Sequence, residues 1–144
     1  MKRILNVLIF LGFFAVIFIV LFAVIKSARD TTSPALADES FVIQGQPTTC
    51  SSLFGEPCDF DLQTEYNMWG KGLESFVDSG VLGPYAADIG FVDSAKLSLQ
   101  ACGVARTAGT TVLEFEDLAQ RDHPDATRAQ LFPFWNETRQ DLCP

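Results

Sequence analysis

Four cysteines carry the most readable chemistry in this sequence: Cys50, Cys58, Cys102 and Cys143. An even count in a small exported domain reads as two disulfides, and four cysteines allow three pairings. Cys50 and Cys58 bracket Ser-Ser-Leu-Phe-Gly-Glu-Pro, whose glycine and proline favour a tight turn. Cys102 and Cys143 both fall on expected helices. The expected pairs are therefore Cys50–Cys58 and Cys102–Cys143. Loop-closure entropy gives the first about 2.6 kcal/mol and the second about 3.9 kcal/mol. If the short loop is peripheral to the core, losing Cys143 should cost far more than losing Cys50. Zinc is the competing chemistry, but the spacing lacks the close cysteine pairs of structural zinc sites. With all four cysteines bridged, no reactive thiol remains.

The other reactive residue types are sparse. His123 is the only histidine, and it precedes Pro124 in an expected loop. A general base needs a nucleophile and an orienting acid in space. Its neighbours Asp122 and Asp125 suit capping better. Glu114, Glu116 and Asp117 cluster in the first turns of an expected helix, where carboxylates complement the helix dipole. They do not fit an EF-hand loop, and no glycine-rich phosphate loop is present. Asn136-Glu137-Thr138 fits a glycosylation sequon but lies inside an expected helix, and reads as a chance match. Neither a metal nor a cofactor is expected.

The elements that position these residues begin with an apolar segment. Ile4 to Ile25 is interrupted only by Asn6 and Gly12. As a helix it would span about 33 Å, matching a hydrocarbon core of about 30 Å. The expectation is an uncleaved signal anchor, residues 1–30 with its flanks, in the plasma (inner) membrane. Lys2 and Arg3 favour a cytoplasmic N-terminus, with Lys26 and Arg29 weakly opposed. Ala35-Leu36-Ala37 offers a cleavage signal, and cutting after Ala37 would give a secreted form. Phe10, Phe14, Phe18 and Phe22 recur every four residues and line one stripe. The stripe could contact another membrane helix, or simply face lipid.

Residues 31–48 read as an extracytoplasmic linker, with Phe41-Val42-Ile43 as an apolar patch able to pack on the domain or pair as an edge strand. Residues 49–144 read as a small disulfide-bonded helical domain. Leu62, Tyr66, Trp69, Leu73 and Phe76 or Val77 describe an amphipathic helix, capped by Asp59 or Asp61 and closed by Gly80. Gly70 and Gly72 weaken it unless a neighbour approaches closely. Val81 to Gly90 reads as a loop, followed by a helix from Phe91 or Asp93 to Thr107. Capping boxes at Thr111–Glu114 and Thr127–Gln130 open two more helices. Pro133 should kink the last one. The expected fold is all-α: a transmembrane helix plus four short helices around one core.

From Phe76 to Pro144 the chain resembles a family of small exported actinobacterial proteins, of the mycobacterial type, known as a domain of unknown function. The shared elements are Phe76-Val77 with Gly80, a helix carrying Cys102, Gly109, the helix opening at Val112, His123-Pro124, Thr127 with Gln130, and Leu142-Cys143-Pro144. The resemblance implies a small helical bundle in which Cys102 and Cys143 pair. Two departures are visible. Family members usually carry an aromatic where Leu142 stands, and many are secreted without a retained anchor. The Cys50–Cys58 segment lies outside the family pattern. The resemblance supplies fold and compartment, and no activity.

Charge narrows the partners. From Thr31 onward the chain holds 17 acidic and 6 basic side chains, a balance of −11. Such a domain repels phosphate backbones, which argues against nucleic acid. Two functions fit. The first is a non-enzymatic accessory subunit of an inner-membrane complex, respiratory or envelope-transport, whose contacts are membrane lipid and a membrane-protein partner. The second is an envelope protein binding a lipid or small molecule in an apolar pocket among Trp69, Phe76, Phe115, Phe132, Phe134 and Trp135. A cavity above about 300 Å³ among those aromatics would favour the second, and a filled core the first.

Overall fold

A computed structural model describes residues 36–144. The expected anchor, its Phe10, Phe14, Phe18 and Phe22 stripe, and the linker up to Ala35 lie outside the described residues. Among the described residues no helix is long and apolar enough to cross a membrane.

The domain is mostly helical but not all-α. Two strands, β1 (Ser40–Ile43) and β2 (Gln46–Thr49), form an antiparallel hairpin in the segment read as linker. Gln44 and Gly45 both have positive φ, 52° and 73°. That is the backbone twist a two-residue hairpin turn needs. Burial alternates along β1: Phe41 half-buried, Val42 exposed, Ile43 buried. Phe41 meets the Tyr66 ring edge-on at 5.4 Å, and the Tyr66 hydroxyl donates to the Thr48 carbonyl at 2.5 Å. Burial pushes the Tyr66 phenol up to about 12. Asp38 accepts from the Cys50 amide (2.9 Å), Ser51 Oγ (2.5 Å) and Gln63 Nε2 (3.2 Å). Desolvation opposes its ionisation, but these bonds prevail and hold the carboxyl below its ordinary value. The packed domain therefore already includes residue 38.

Five α-helices follow. Helix α1 (Cys50–Phe54) opens on a capping box of Thr49 and Ser52. Helix α2 (Phe60–Val77) takes Asp59 as its N-cap and buries Tyr66, Leu73, Phe76 and Val77. Helix α3 (Pro84–Arg106) starts earlier than the sequence suggested. Gly83-Pro84 reads as loop punctuation, but proline is also suited to the first helical position. Gly90 breaks the helical path with φ 82° and ψ 175°, a conformation that favours glycine. Ser94 Oγ bridges the break by donating to the Ala86 carbonyl at 3.1 Å. Helices α4 (Val112–Asp122) and α5 (Arg128–Glu137) open on the two expected capping boxes. Helix α5 continues through Pro133 and widens into a π-helical turn, Thr138–Leu142. That turn brings Leu142 inside.

The core gathers Tyr66, Leu73, Leu97, Leu99, Phe115, Leu131 and Phe134, all fully buried. Each such apolar side chain contributes about 1.5–3 kcal/mol by leaving water. The disulfides are Cys50–Cys58 and Cys102–Cys143. Cys50 is completely buried and the hairpin lies against α2, so the short loop is not peripheral.

The two glycines of α2 have opposite roles. A Cβ on Gly70 would sit 2.4 Å from a Phe41 ring carbon, whereas one on Gly72 would meet only Leu142 at 3.8 Å. Gly72→Ala should therefore gain up to about 1 kcal/mol from helix propensity. Gly70→Ala should lose about 1–2 kcal/mol, because displacing the Phe41 ring outweighs that gain. Urea unfolding of both variants checks this. Equal gains would mean that the hairpin does not rest on Gly70.

Candidate functional site

A cleft of about 700 Å³ lies between the start of α2, the second half of α3 and the start of α4. Helical spacing explains its lining. Asp61, Leu62 and Glu65 share one face of α2, while Lys96, Leu99, Gln100, Gly103, Val104 and Thr107 follow one face of α3. Glu114 and Leu118 close it from α4.

Glu65 is the unusual residue. It is 1% exposed, although its neighbours one turn away on the helix, Asp61 and Met68, are exposed. Arg106 reaches it from α3 with a hydrogen-bonded ion pair, and Trp69 Nε1 donates to its other oxygen at 3.1 Å. Burial nonetheless outweighs these partners and raises the Glu65 carboxyl above its ordinary value. The pair is asymmetric: the Arg106 side chain is 44% exposed. Arg106 Nη1 also contacts Met68 Sδ at 3.0 Å.

Lys96 stands at the other end of the cleft. Its ammonium lies 3.1 Å from Asp122 and 3.6 Å from Glu56. Burial disfavours its charge, yet Asp122 and Glu56 prevail and hold its pKa above the ordinary value. Gln100 Oε1 is buried without a hydrogen-bond partner. Sequence reading missed Glu65, Lys96, Gln100 and Arg106. A glutamate four residues before Trp69 and next to Tyr66 in sequence was the available signal.

The expected site residues are placed as follows. His123 caps the C-terminus of α4, and its ring meets Tyr85 edge-on at 6.4 Å. The three carboxylates of α4 divide. Glu114 closes its capping box, which lowers its pKa through the Thr111 hydroxyl, whereas Glu116 is buried with Arg128 Nε 3.1 Å away. Glu116 thus ties α4 to α5 beyond any dipole role. Asp117 is exposed. Thr138 of the sequon is fully buried. Among the described residues no three His, Cys, Asp or Glu side chains converge to hold a metal ion.

The six aromatics proposed to line an apolar pocket do not come together. Phe115 and Phe134 are fully buried, and Phe115 stacks on Trp135 with ring centres 6.0 Å apart. Phe132 is 51% exposed. Trp69 and Phe76 border a separate, smaller recess of about 350 Å³ with Ser75, Ser79 and Asp141. The aromatics serve mainly as core, because their helical spacing turns four of them inward or along the helix contacts.

No protein-family model, curated protein or solved structure matches the chain. Fold and cleft together define a small, mostly helical domain with a β-hairpin, two disulfides and a charged cleft.

Proposed function

We propose that this chain is a non-enzymatic accessory protein, held at the outer face of the plasma membrane, that binds a membrane-protein partner. The observation that carries this reading is how the aromatic side chains are used. Phe76, Phe115, Phe134 and Trp135 pack in the core, and the cleft of about 700 Å³ at the surface is edged by charged groups and floored by Leu62, Leu99 and Val104. A lipid-binding domain would turn its aromatics into the cavity. A charged, partly apolar cleft suits side chains offered by another protein.

The two disulfides support an oxidising compartment. The apolar run Ile4–Ile25 supports a retained anchor. Confinement to a membrane raises effective concentration, so such a subunit needs no large interface. The actinobacterial resemblance agrees with export and adds no activity.

Affinity purification from gently solubilised membranes tests the proposal, using the full chain. One membrane protein should co-purify in near-equal amount. Recovery of this chain alone would overturn the subunit reading.

A further inference from the structure

We propose that the Ala37–Asp38 peptide bond is a processing site for an envelope peptidase of the Ala-x-Ala class, open while the domain is unfolded and closed by the folded domain. This rests on the reading of the chain as membrane-held and gives the retained anchor a cause.

The bond has the sequence for cleavage, since Ala37 ends Ala35-Leu36-Ala37. Ala35 lies outside the described residues, whereas the bond and its flanks from Leu36 to Ser40 are described. The bond also has the right place. Asp38 is tied to the domain through the Cys50 amide, Ser51 Oγ and Gln63 Nε2. A product beginning at Asp38 therefore keeps those bonds and both disulfides. Hydrolysis adds water across the bond. The C–N bond breaks, Ala37 becomes a carboxylate at the end of the apolar piece, and Asp38 becomes an ammonium terminus. The domain is then free of the membrane.

In the folded chain the same bond is held in a form that a peptidase does not accept. Residues 36–40 are exposed, so conformation closes the site and burial does not. A peptidase takes its substrate extended and aims hydrogen-bond donors at the scissile carbonyl oxygen. The Ala37 carbonyl oxygen already accepts from Asn67 Nδ2 at 2.6 Å and from the Glu39 amide at 3.1 Å. The second of these bonds spans only two residues and folds the chain into a tight turn across the bond to be cut. Asn67 is fixed in its turn, because its Oδ1 accepts from Gln63 Nε2 at 2.8 Å and from the Glu39 amide at 3.4 Å. On the other side of the bond, Asp38 is clamped to the first residues of α1. Cutting therefore needs residues 37–39 to open locally, and its rate follows the open population. Cleavage before the domain folds gives the secreted form, and folding first gives the anchored one.

The test uses the full chain in a non-ionic detergent with a purified bacterial signal peptidase, read by mass spectrometry. The open reference is the same chain reduced and alkylated. Cys50 and Cys102 are fully buried, so alkyl groups on them do not fit the core and the domain stays unfolded. The alkylated chain should be cut between Ala37 and Asp38. The oxidised chain should be cut at least about a hundredfold more slowly, the product of three hydrogen bonds at about fivefold each. Oxidised Asn67→Ala loses the donor to the Ala37 carbonyl and should be cut at least about fivefold faster than the oxidised native chain. Oxidised Arg106→Ala loses stability away from this segment and should be cut at the native rate. An alkylated chain left uncut after Ala37 would overturn the proposal. So would equal rates for the oxidised and alkylated chains, or no gain in Asn67→Ala. An Arg106→Ala rate matching that of Asn67→Ala would overturn it too, because the bond would then open only by global unfolding. Each of these failures leaves the accessory-protein reading to its own test, since co-purification of a partner does not depend on the peptidase.

Discussion

Cys143→Ser should lower the unfolding free energy of the oxidised chain by about 4 kcal/mol, against about 2.6 kcal/mol for Cys58→Ser. The bridges differ in the chain they close, 41 residues of separation against 8. Cutting the longer one frees more of the unfolded ensemble. It also releases the π-helical turn, whose Leu142 is 6% exposed, from the fully buried Cys102. The remaining Cys102 thiol behaves as a small apolar group and adds little cost. Cys58 is the fair comparison for the short bridge, because Cys50→Ser would also place a hydroxyl in the core. Loss of Cys50 should thus approach that of Cys143, closer than a peripheral loop would allow. A domain of this size has about 5–15 kcal/mol in total. Urea unfolding of oxidised proteins measures the difference. A larger loss for Cys58→Ser would show that the short bridge, through the hairpin, is the main staple.

What the sequence made legible was local. Thr111–Glu114 and Thr127–Gln130 announce their helices, because a capping box is complete within four residues. The turn between Cys50 and Cys58 announces its bridge through Gly55 and Pro57 in the same way. The hairpin was legible only in its first half: Phe41-Val42-Ile43 read as a patch able to pack on the domain or pair as a strand, but its partner strand did not. Gln46-Pro47-Thr48-Thr49 has no apolar alternation, and Gln44-Gly45 is a weaker turn signal than Asn-Gly. Its pairing depends on the Phe41 ring lying over Gly70 and on the Tyr66 hydroxyl reaching Thr48, contacts that no short window contains. The cleft was hidden for the same reason. Glu65 and Arg106 are 41 residues apart, and each alone looks like an ordinary helix-surface charge. Only the packing of α2 on α3 turns one of them into a buried carboxylate.

Arg106→Ala should cost about 3 kcal/mol at neutral pH, the low end for breaking a buried ion pair, because the Arg106 side chain is itself partly exposed. The larger part of that cost is Glu65, left charged and 1% exposed with Trp69 as its remaining donor. The deficit should therefore depend on pH. In the native chain burial already raises the Glu65 carboxyl above 4.5, its ordinary value, and the nearby Asp61 pushes it the same way. A raised carboxyl takes up its proton more readily in the folded state. Its stabilising effect is complete below the unfolded value and is lost as pH rises through the folded one. Removing the Arg106 cation raises the folded value further and widens that window upward. The gap between native and variant should thus be smallest below pH 4.5 and grow as pH rises. Urea unfolding of both proteins at acidic and neutral pH measures it, since groups far from Glu65 titrate alike in the two. Adding Glu65→Gln to Arg106→Ala should recover most of the loss at neutral pH, because a glutamine still accepts from the Trp69 indole and carries no charge to desolvate. A gap that stays constant with pH, or a double variant as weak as the single one, would mean that Arg106 stabilises the cleft by packing and not by neutralising the buried Glu65.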